Sequence, residues 1–477
     1  MLKKISSFLP WLLIVLVCFT IDDGHEWGDD FALYLSMSKS LLAGNPQTIS
    51  VDNSWMMQHS SGLIGPDLYP WGYPVFLSVF TFFSGESLVI AKFFQWLFLA
   101  ILGLFLSHQI LRYSGFSRNQ SSYWFLILLM LFHPKLLLFA NRFNSDLFFL
   151  VLVYTYWVVF YARQSADNIK TRSLYTWALG LIIFSATQTR DVGLFLALPL
   201  GVDCLRRFSN SKSSSLLGLL ILIASVSPCV FSYLNTESTH IQAIDVSLFS
   251  SLLPVYTEMI GLYPFVLIKQ ADFAFIHWIG LLTGSVLFVL FFAKAKTIYC
   301  LYLIEASWVI PNFLLLIFWP SNQGERFLFP WIWMFLLVIV RVYSSTEKFK
   351  RWKYVGALFP ALAVLLLAQS MTSIAFHTAK NSNEIGSKTT REMLSFIRNK
   401  TDRDEVVYFV KPRLMYYFTK RRAIYSKYEA DRSRVMNTSD WIVKQKQPIQ
   451  GVAFSKMEIK HEQVFENESY VIYRVLN

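Results

Sequence analysis

Charged residues are scarce in this sequence. Asp, Glu, Lys and Arg make up 16% of its 477 residues, whereas about 25% is usual for a soluble globular chain. Hydrophobic residues reach 54%, and the mean hydropathy is +0.42. Repeated apolar runs approach the roughly 20 residues that a membrane-crossing helix requires. The deficit of charge excludes an ordinary soluble protein and predicts a polytopic membrane protein.

Cysteine is scarce as well, and several common motifs are missing. The four cysteines show no paired spacing, so they are interpreted as small buried hydrophobic residues. The sequence therefore indicates neither a disulfide framework nor a zinc cluster. It also contains no glycine-rich phosphate loop, no internal repeat and no low-complexity tract.

The net charge of +12 is distributed in a pattern that indicates membrane topology and not a nucleic-acid-binding surface. Most basic residues fall in short loops between apolar runs or in the last hundred or so residues. Lysine and arginine mark cytoplasmic loops. The N-terminal MLKK, followed by ISSFLPWLLIVLVCFT without a small-x-small cleavage site, predicts an uncleaved first span with its lysines in the cytoplasm.

The apolar runs predict about eleven spans, and the basic loops alternate in phase with them. An odd number of spans places the C-terminal tail outside the cell membrane. The predicted spans lie near residues 5–20, 87–111, 121–140, 146–163, 173–189, 191–205, 214–233, 274–293, 298–319, 327–343 and 354–371.

Outside the spans, three longer segments are expected on the extracytoplasmic side. Residues 21–86 form a first outer loop with interfacial helices, and 235–273 is predicted to be interfacial or re-entrant because prolines and a glycine interrupt it. Residues 372–477 are polar and predict a small extracytoplasmic α/β domain. Its helices are expected after the capping-box spacing of Thr389 and Glu392 and over 413–419, with strands at 405–410, 422–426, 440–444, 451–455 and 469–475. The sequence thus predicts a transmembrane domain, 1–371, and the tail domain, 372–477.

The short outer loops each carry one arginine beside a carboxylate. Ionisable groups at the ends of spans are either functional or paired locally to fix a helix end, and both interpretations stay open for each pair. Three such loops on one face favour a shared site. The pairs are Arg142 near Asp146, Arg190 next to Asp191, and Arg326 next to Glu325.

Two adjacent acids, Asp29 and Asp30, follow the first span on the same face, with His59 further along the loop. Carboxylates provide a general base or a site for a hard cation. Arginines bind phosphate through fork-like hydrogen bonds. Together they fit a transfer reaction on a phosphate-linked lipid, and Lys135 could line a pocket for the tail or the phosphate. A non-enzymatic lipid-carrier binder, flippase or transporter is the alternative.

Five stretches, in order along the chain, resemble the GT-C superfamily of membrane glycosyltransferases. The likeness is to the bacterial dolichyl-phosphate-mannose protein mannosyltransferase and aminoarabinose transferase type. The stretches are EWGDDFALYLSMSKSLLAGNP, YPWGYPVFLSVF, NRFNSDLFFLV, TRDVGLFLALP and GERFLFPWIW. One departure is Trp71, which stands where the family motif has a proline.

The resemblance implies a catalytic base in the acidic pair, and Asp30 is favoured because it is nearest the helix start. Asp29 would then cap the helix, although the reverse assignment is open. Asp146 matches the second acidic position, with a role in orienting the acceptor or binding a cation, or as a plain helix N-terminal charge. Glu325 and His59 are further candidates of this kind, and for His59 a structural role is the alternative.

The resemblance also implies that Arg326, in GERFLFP, is a ligand of the donor phosphate. Arg190, Arg142 and Lys135 are the other candidates for phosphate binding. Metal use differs within the family, so a divalent cation is left open and no other cofactor is expected. The expected protein is an inner-membrane, multi-pass glycosyltransferase that uses a polyprenyl-phosphate-linked sugar. Its acceptor would be a glycolipid, a glycan or a protein, and nucleic acid is not an expected partner.

Overall fold

The structure, a computed structural model, is mostly helical. It describes residues 2–25, 29–61, 68–117, 120–209, 212–235, 247, 249–265, 274–293, 295–319, 324–344, 353–379, 385–446 and 460–476. Contacts between Cα atoms divide the chain into two compact units. The helical unit comprises residues 1–20, 96–140 and 145–379, and the mixed unit comprises 21–95, 141–144 and 380–477.

Five of the described helices are long and apolar enough to cross a membrane, which supports the predicted polytopic fold. They cover Leu88–Tyr113, Ser145–Gln164, Lys212–Phe231 and Phe275–Phe292, together with Ser122–Asn141, which has a break before Pro134. Shorter apolar helices occur at Phe8–Cys18, Gly72–Ser84, Tyr302–Ile317, Ile332–Arg341 and Phe359–Ala375. The number of eleven spans stays a prediction.

The helical unit is built from consecutive helices that pack against neighbours in the chain, such as Ser145–Gln164 against Ile169–Thr187. Its α-helices run over Leu2–Cys18, the later part of Leu88–Tyr113, Ser121–Leu131, Pro134–Leu137, Ser145–Gln164, Ile169–Thr187, Ala197–Arg207, Lys212–Asn235, Phe249–Leu262, Ala274–Ala293, Ala295–Ile317, Ile332–Ser344 and Lys353–Ala379. Short 3-10 helices lie at Leu138–Asn141, Asp191–Leu196, Tyr263–Phe265 and Glu325–Phe327.

Two predicted spans of this unit are interrupted. The run 121–140 stops being α-helical after Leu131 and resumes at Pro134, because proline has no N–H and disfavours a helical residue before it. His133 accordingly has ψ of 132°. The run 191–205 begins as a 3-10 helix and becomes α-helical at Ala197. At the first interruption, the carbonyl oxygen of the buried Phe132 accepts a hydrogen bond of 2.5 Å from the Ser370 hydroxyl.

Helices Phe249–Leu262 and Ala274–Ala293 pack especially closely, through glycine. A Cβ atom at Gly261 would lie 1.9 Å from the carbonyl oxygen of Gly280, so no larger residue fits there. Small residues permit such close helix contacts within membranes. The first helix falls inside the segment 235–273 predicted as interfacial or re-entrant, of which residues 236–246, 248 and 266–273 lie outside the described part.

The mixed unit joins first-loop helices to tail helices and a sheet. First-loop helices run over Asp29–Leu42, Pro46–His59 and Gly72–Ser84, and tail helices over Lys388–Lys400, Pro412–Thr419 and Glu429–Asn437. Helix Asp29–Leu42 packs against both other first-loop helices and against Pro412–Thr419. The predicted domain boundary near 371 stays a prediction, while the compact units group the first loop with the tail.

The tail sheet has five strands in the order β2-β1-β3-β5-β4. Strands β1 (Val407–Tyr408), β2 (Ala423–Ile424) and β3 (Trp441–Gln445) are mutually parallel, whereas β5 (Tyr470–Val475) is antiparallel to β3 and to β4 (His461–Glu466). An α/β tail and the helix over 413–419 are thus confirmed. Residues 451–455, predicted as a strand, lie outside the described residues.

The sequence interpretation of the tail is wrong in two details. The helix at Lys388 is capped by Ser387, whose side chain accepts a hydrogen bond from the Thr390 backbone N–H at 3.2 Å, and not by Thr389. Strand β4 was not predicted, because as an edge strand it exposes most of its side chains and lacks an apolar pattern.

Candidate functional site

Asp30, the favoured catalytic base, lies in the first turn of helix Asp29–Leu42 and is exposed. Residues 31–38 of this helix are all buried, whereas Asp30, at its N-terminal end, is exposed. The Tyr69 hydroxyl donates a hydrogen bond of 2.6 Å to Oδ1 of Asp30. The side chain of Asp29 is outside the described part of the structure, so the preference for Asp30 over Asp29 stays a prediction.

Tyr69 is held beside Asp30 by aromatic packing. Its ring lies 4.6 Å, centroid to centroid, from the ring of the buried Tyr34. Burial, reinforced by the negative charge of Asp30, raises the pKa of the Tyr69 hydroxyl above its ordinary value. The hydroxyl therefore stays protonated near neutral pH and acts as the donor. Sequence reasoning missed Tyr69, whose available signal was its position directly before the PWGYP motif.

The chain entering helix Asp29–Leu42 is fixed by His25. The imidazole stacks on the Phe31 ring with centroids 3.8 Å apart, and its Nε2 accepts a hydrogen bond of 3.0 Å from the backbone N–H of Phe143. Accepting that bond requires an unprotonated Nε2. Phe31, which follows Asp30, is thereby connected through His25 to the segment Asn141–Asn144.

Lys92 is a second anchor that sequence reasoning missed. Its fully buried ammonium donates to the backbone carbonyls of Asp22, at 3.1 Å, and Gly24, and to Oδ1 of Asn141, at 3.1 Å. A buried charge is tolerated when hydrogen bonds replace its hydration. A lone lysine inside the apolar run 87–111 was the signal that could have revealed it.

Asp146 and Arg190 form an ion pair in the helical unit. Asp146 is buried in the first turn of helix Ser145–Gln164, and Arg190 directly precedes the 3-10 helix Asp191–Leu196. The turn at Arg190 is tight because Gly193 packs onto the preceding helix: a Cβ atom there would lie 2.4 Å from the carbonyl carbon of Ala186. The sequence had suggested Asp191 as the neighbour of Arg190, and it did not predict the pair with Asp146.

Arg190 and Arg326 share one aromatic ring. The guanidinium carbons of Arg190 and Arg326 lie 4.9 Å and 5.1 Å from the centre of the Phe327 ring. Arg326 and Phe327 belong to the short 3-10 helix Glu325–Phe327. We call Asp146, Arg190, Arg326 and Phe327 the arginine cluster. Three of the predicted site residues thus lie together, and Phe327, which sequence reasoning missed, connects them.

Lys135 lies on an element that packs against part of the arginine cluster. It is half-buried on the short helix Pro134–Leu137, which packs against Glu325–Phe327. The break before Pro134 allows this helix to turn away from Ser121–Leu131. The side chain of Glu325 is outside the described part of the structure, so its predicted role is not addressed by any contact.

Arg142 and His59 belong to the mixed unit. Arg142 is half-buried in the segment Asn141–Asn144. His59 is exposed at the end of helix Pro46–His59, where it stacks on Trp55 with ring centroids 4.0 Å apart, and its Nδ1 lies 2.9 Å from the Trp55 carbonyl oxygen. These contacts are local to one helical turn, and the role of His59 stays a prediction.

Among the described residues, no group of three or more His, Cys, Asp or Glu side chains is arranged to hold a metal ion. Of the acidic candidates for a cation site, Asp146 has its negative charge paired with Arg190. The requirement for a divalent cation stays open.

No protein-family model matches the chain, and no curated protein sequence is significantly similar to it. Similarity to solved structures is extensive. ArnT from Cupriavidus metallidurans bound to undecaprenyl phosphate aligns with a TM-score of 0.58 and 13% identity, over 98% of this chain and 97% of that one. The Archaeoglobus fulgidus oligosaccharyltransferase in complex with Zn and sulfate aligns with a TM-score of 0.54 and 11% identity, over 91% and 67% of the two chains.

A further structure of the archaeal enzyme, AglB from Archaeoglobus fulgidus with an inhibitory peptide and a dolichol-phosphate, aligns with a TM-score of 0.50 and 10% identity, over 93% and 69% of the two chains. These neighbours are GT-C glycosyltransferases. The chain shares the fold of these structures. The predicted resemblance to this superfamily is therefore confirmed at the level of the fold.

Proposed function

We propose that the chain is an integral membrane glycosyltransferase that moves a sugar from a polyprenyl-phosphate donor to a hydroxyl or phosphate acceptor. The reaction takes place at the extracytoplasmic face of the inner membrane, with inversion at the anomeric carbon. The observation that carries the proposal is the arginine cluster, in which Arg190 and Arg326 share the Phe327 ring.

The arginine cluster is suited to a phosphate leaving group. A guanidinium stacked on a ring uses its face for that contact, whereas its N–H donors lie in the plane and match phosphate oxygens. Asp146 pairs with Arg190 and so fixes its position. We assign Arg326 as the principal phosphate ligand and Arg190 as the second, with Lys135 and Arg142 as additional positive charges.

Asp30 acts as the general base in this proposal. An acceptor hydroxyl loses its proton to the Asp30 carboxylate while its oxygen attacks the anomeric carbon of the donor. The bond between that carbon and the phosphate oxygen breaks, and the arginines stabilise the negative charge that remains on the polyprenyl phosphate. A single displacement of this kind inverts the anomeric configuration. Asp29 is the alternative base.

The solved neighbours support a lipid-linked donor, since one is bound to undecaprenyl phosphate and another to a dolichol-phosphate. A membrane location also follows from this chemistry, because a polyprenyl tail must stay in hydrocarbon while its head group reacts. We assign Asp146, Glu325 and His59 to orienting the acceptor or holding a cation. The acceptor is a glycolipid, a glycan or a protein.

The proposal is tested by carboxylate substitutions in a strain that lacks the gene. Mass spectrometry of the envelope glycans compares complementation by wild type, Asp29→Asn, Asp30→Asn and the double variant. We expect the glycosylated species to disappear with Asp30→Asn and with the double variant. Asp52→Asn is the matched control, because Asp52 also accepts a hydrogen bond from a tyrosine, Tyr416, in the same unit. Full glycosylation in the double variant would exclude the acidic pair as the base.

A further inference from the structure

The tail contributes a buried arginine that contacts Tyr69, the tyrosine hydrogen-bonded to the proposed base. Arg413, in the first turn of helix Pro412–Thr419, is 3% exposed. Its Nε donates to Oδ1 of Asn53 at 3.1 Å, and a terminal nitrogen lies 3.5 Å from the sulfur of Met57. Both partners belong to the first-loop helix Pro46–His59. The tail is therefore tied to the first loop by a residue that is almost completely shielded from solvent.

Arg413 also contacts the tyrosine that bonds Asp30. Its guanidinium carbon lies 5.9 Å from the centre of the Tyr69 ring, within the range of a cation–π contact. Tyr69 in turn donates to Asp30 Oδ1 at 2.6 Å. The series Arg413, Tyr69 and Asp30 thus runs from the tail to the carboxylate through contacts inside one compact unit.

A second contact ties helix Pro412–Thr419 to the first loop, this time to helix Asp29–Leu42. The ammonium of Lys39, in the last turn of helix Asp29–Leu42, lies 4.9 Å from the centre of the Tyr417 ring. Lys39 also forms a 2.6 Å ion pair with Glu86. Helix Pro412–Thr419 therefore contacts helix Asp29–Leu42 near its C-terminal end, while Arg413 acts near the N-terminal end through Tyr69.

We propose that Tyr69 and Arg413 are positioning residues for the proposed glycosyl transfer, and that the C-terminal tail is part of the catalytic apparatus through them. Tyr69 occupies Oδ1 of Asp30 and so fixes the carboxylate rotamer, which directs Oδ2 to the acceptor hydroxyl. Arg413 keeps the Tyr69 ring in place. This inference rests on the proposed function, because Asp30 must be the base for its orientation to affect the rate.

A positioning role predicts a specific kinetic effect. Tyr69→Phe keeps the ring and removes the hydroxyl, so kcat should fall about 10- to 100-fold, as expected when a reacting group loses its orientation. The KM for the lipid donor should stay within about twofold of wild type. Arg413→Gln should lower kcat in the same way, and Arg413→Lys should recover part of it because the positive charge is retained.

Two matched controls separate positioning from folding. Tyr416→Phe removes an equivalent tyrosine hydroxyl, which donates to Asp52 at 2.5 Å in the same unit. Arg421→Lys alters another buried tail arginine, which donates to the carbonyl oxygens of Thr401, at 2.6 Å, and Thr419, at 2.9 Å. Both controls should keep kcat within about threefold of wild type.

The closing experiment combines kinetics with thermal unfolding of the full-length protein in detergent micelles. The rates use metabolically labelled polyprenyl-phosphate sugars as the donor pool. Unfolding temperatures are measured for Asp30→Asn, Tyr69→Phe and their double variant, and a double variant less destabilised than the sum of the single variants is the expected result. Additive losses of unfolding temperature would overturn the inference. Equal kcat values for Tyr69→Phe and Tyr416→Phe in an active protein would also overturn it. Non-additive losses in a protein whose Asp30→Asn variant is fully active would instead refute the proposed base.

Discussion

Helix Ser145–Gln164 carries an ion pair at each end, and the two pairs differ in construction. Near its C-terminal end, Arg163 is 1% exposed and pairs with Asp203, which also accepts a 3.0 Å hydrogen bond from Arg207. We call these three residues the buried triad, after Arg163 and Asp203; the Arg207 side chain is 31% exposed. At the N-terminal end Asp146 pairs with Arg190, whose side chain is 17% exposed.

The difference lies in what each arginine contacts. In the buried triad Arg163 also donates to the hydroxyl of Thr176 at 2.8 Å, and Arg207 donates to Gln164. The acceptors of both guanidiniums are thus side chains on α-helices. In the arginine cluster, both guanidiniums contact the face of Phe327, and both arginines lie at 3-10 helices. The comparison teaches that the same pair of residue types joins α-helices at one end of the helix, whereas at the other end it lies in the cluster that we propose to bind the donor phosphate.

The largest expected effect is on the stability of the buried triad. Arg163→Met removes one of the two arginines that pair with the buried Asp203. Removing one partner of a buried ion pair should cost about 3–5 kcal/mol of unfolding free energy. Thermal unfolding of the purified protein measures the loss, and the specific activity of the folded fraction should be unchanged. Wild-type stability in this variant would show that the triad is not the structural element described here.

The next effect is on the rate. Arg326→Gln in the arginine cluster should lower the transfer rate about 100- to 1000-fold, the usual cost of losing one donor to a developing negative charge. Its unfolding temperature should lie close to that of wild type. Initial rates and thermal unfolding of the same preparation check both parts. If stability fell as far as in Arg163→Met, the two ends of the helix would not differ in the way proposed.

The smallest effect is expected at the shared ring. Phe327→Leu keeps an apolar side chain and removes the aromatic face, and a cation–π contact at a partly exposed site is worth about 0.5–1 kcal/mol. The KM for the lipid donor should therefore rise about two- to fivefold. Phe329→Leu is a control in a neighbouring ring that packs on Phe139 with centroids 5.7 Å apart. An equal rise in both variants would assign the effect to packing.

Some residues of the candidate site can be recognised from the sequence, whereas others cannot. Asp30, Asp146 and Arg326 lie in recognisable stretches, because each follows an apolar run on the side that the charge pattern predicts to be opposite the basic loops. The partner of Asp146 is 44 residues away, and no local pattern encodes that distance. Tyr69 was missed for a similar reason, since its hydrogen bond to Asp30 depends on how the first loop folds back.

The fold was predicted best where hydrophobic periodicity is strong. The long apolar helices and the tail helix Pro412–Thr419 follow from composition and spacing. The interruption before Pro134 could have been inferred from the proline, but the surrounding apolar run favoured a continuous span. Strand β4 has four exposed side chains among six, so the alternation that identifies a half-buried strand is missing.

The most direct test of the central claim follows both products of the reaction. Purified protein in lipid vesicles receives polyprenyl-phosphate sugars labelled in the sugar, together with envelope acceptors from a strain that lacks the gene. We predict labelled acceptor and an equal amount of free polyprenyl phosphate with wild type, with inverted anomeric configuration, and neither product with Asp30→Asn. Recovery of the label on intact donor, moved between leaflets by both proteins, would contradict glycosyl transfer and favour a lipid-translocating protein.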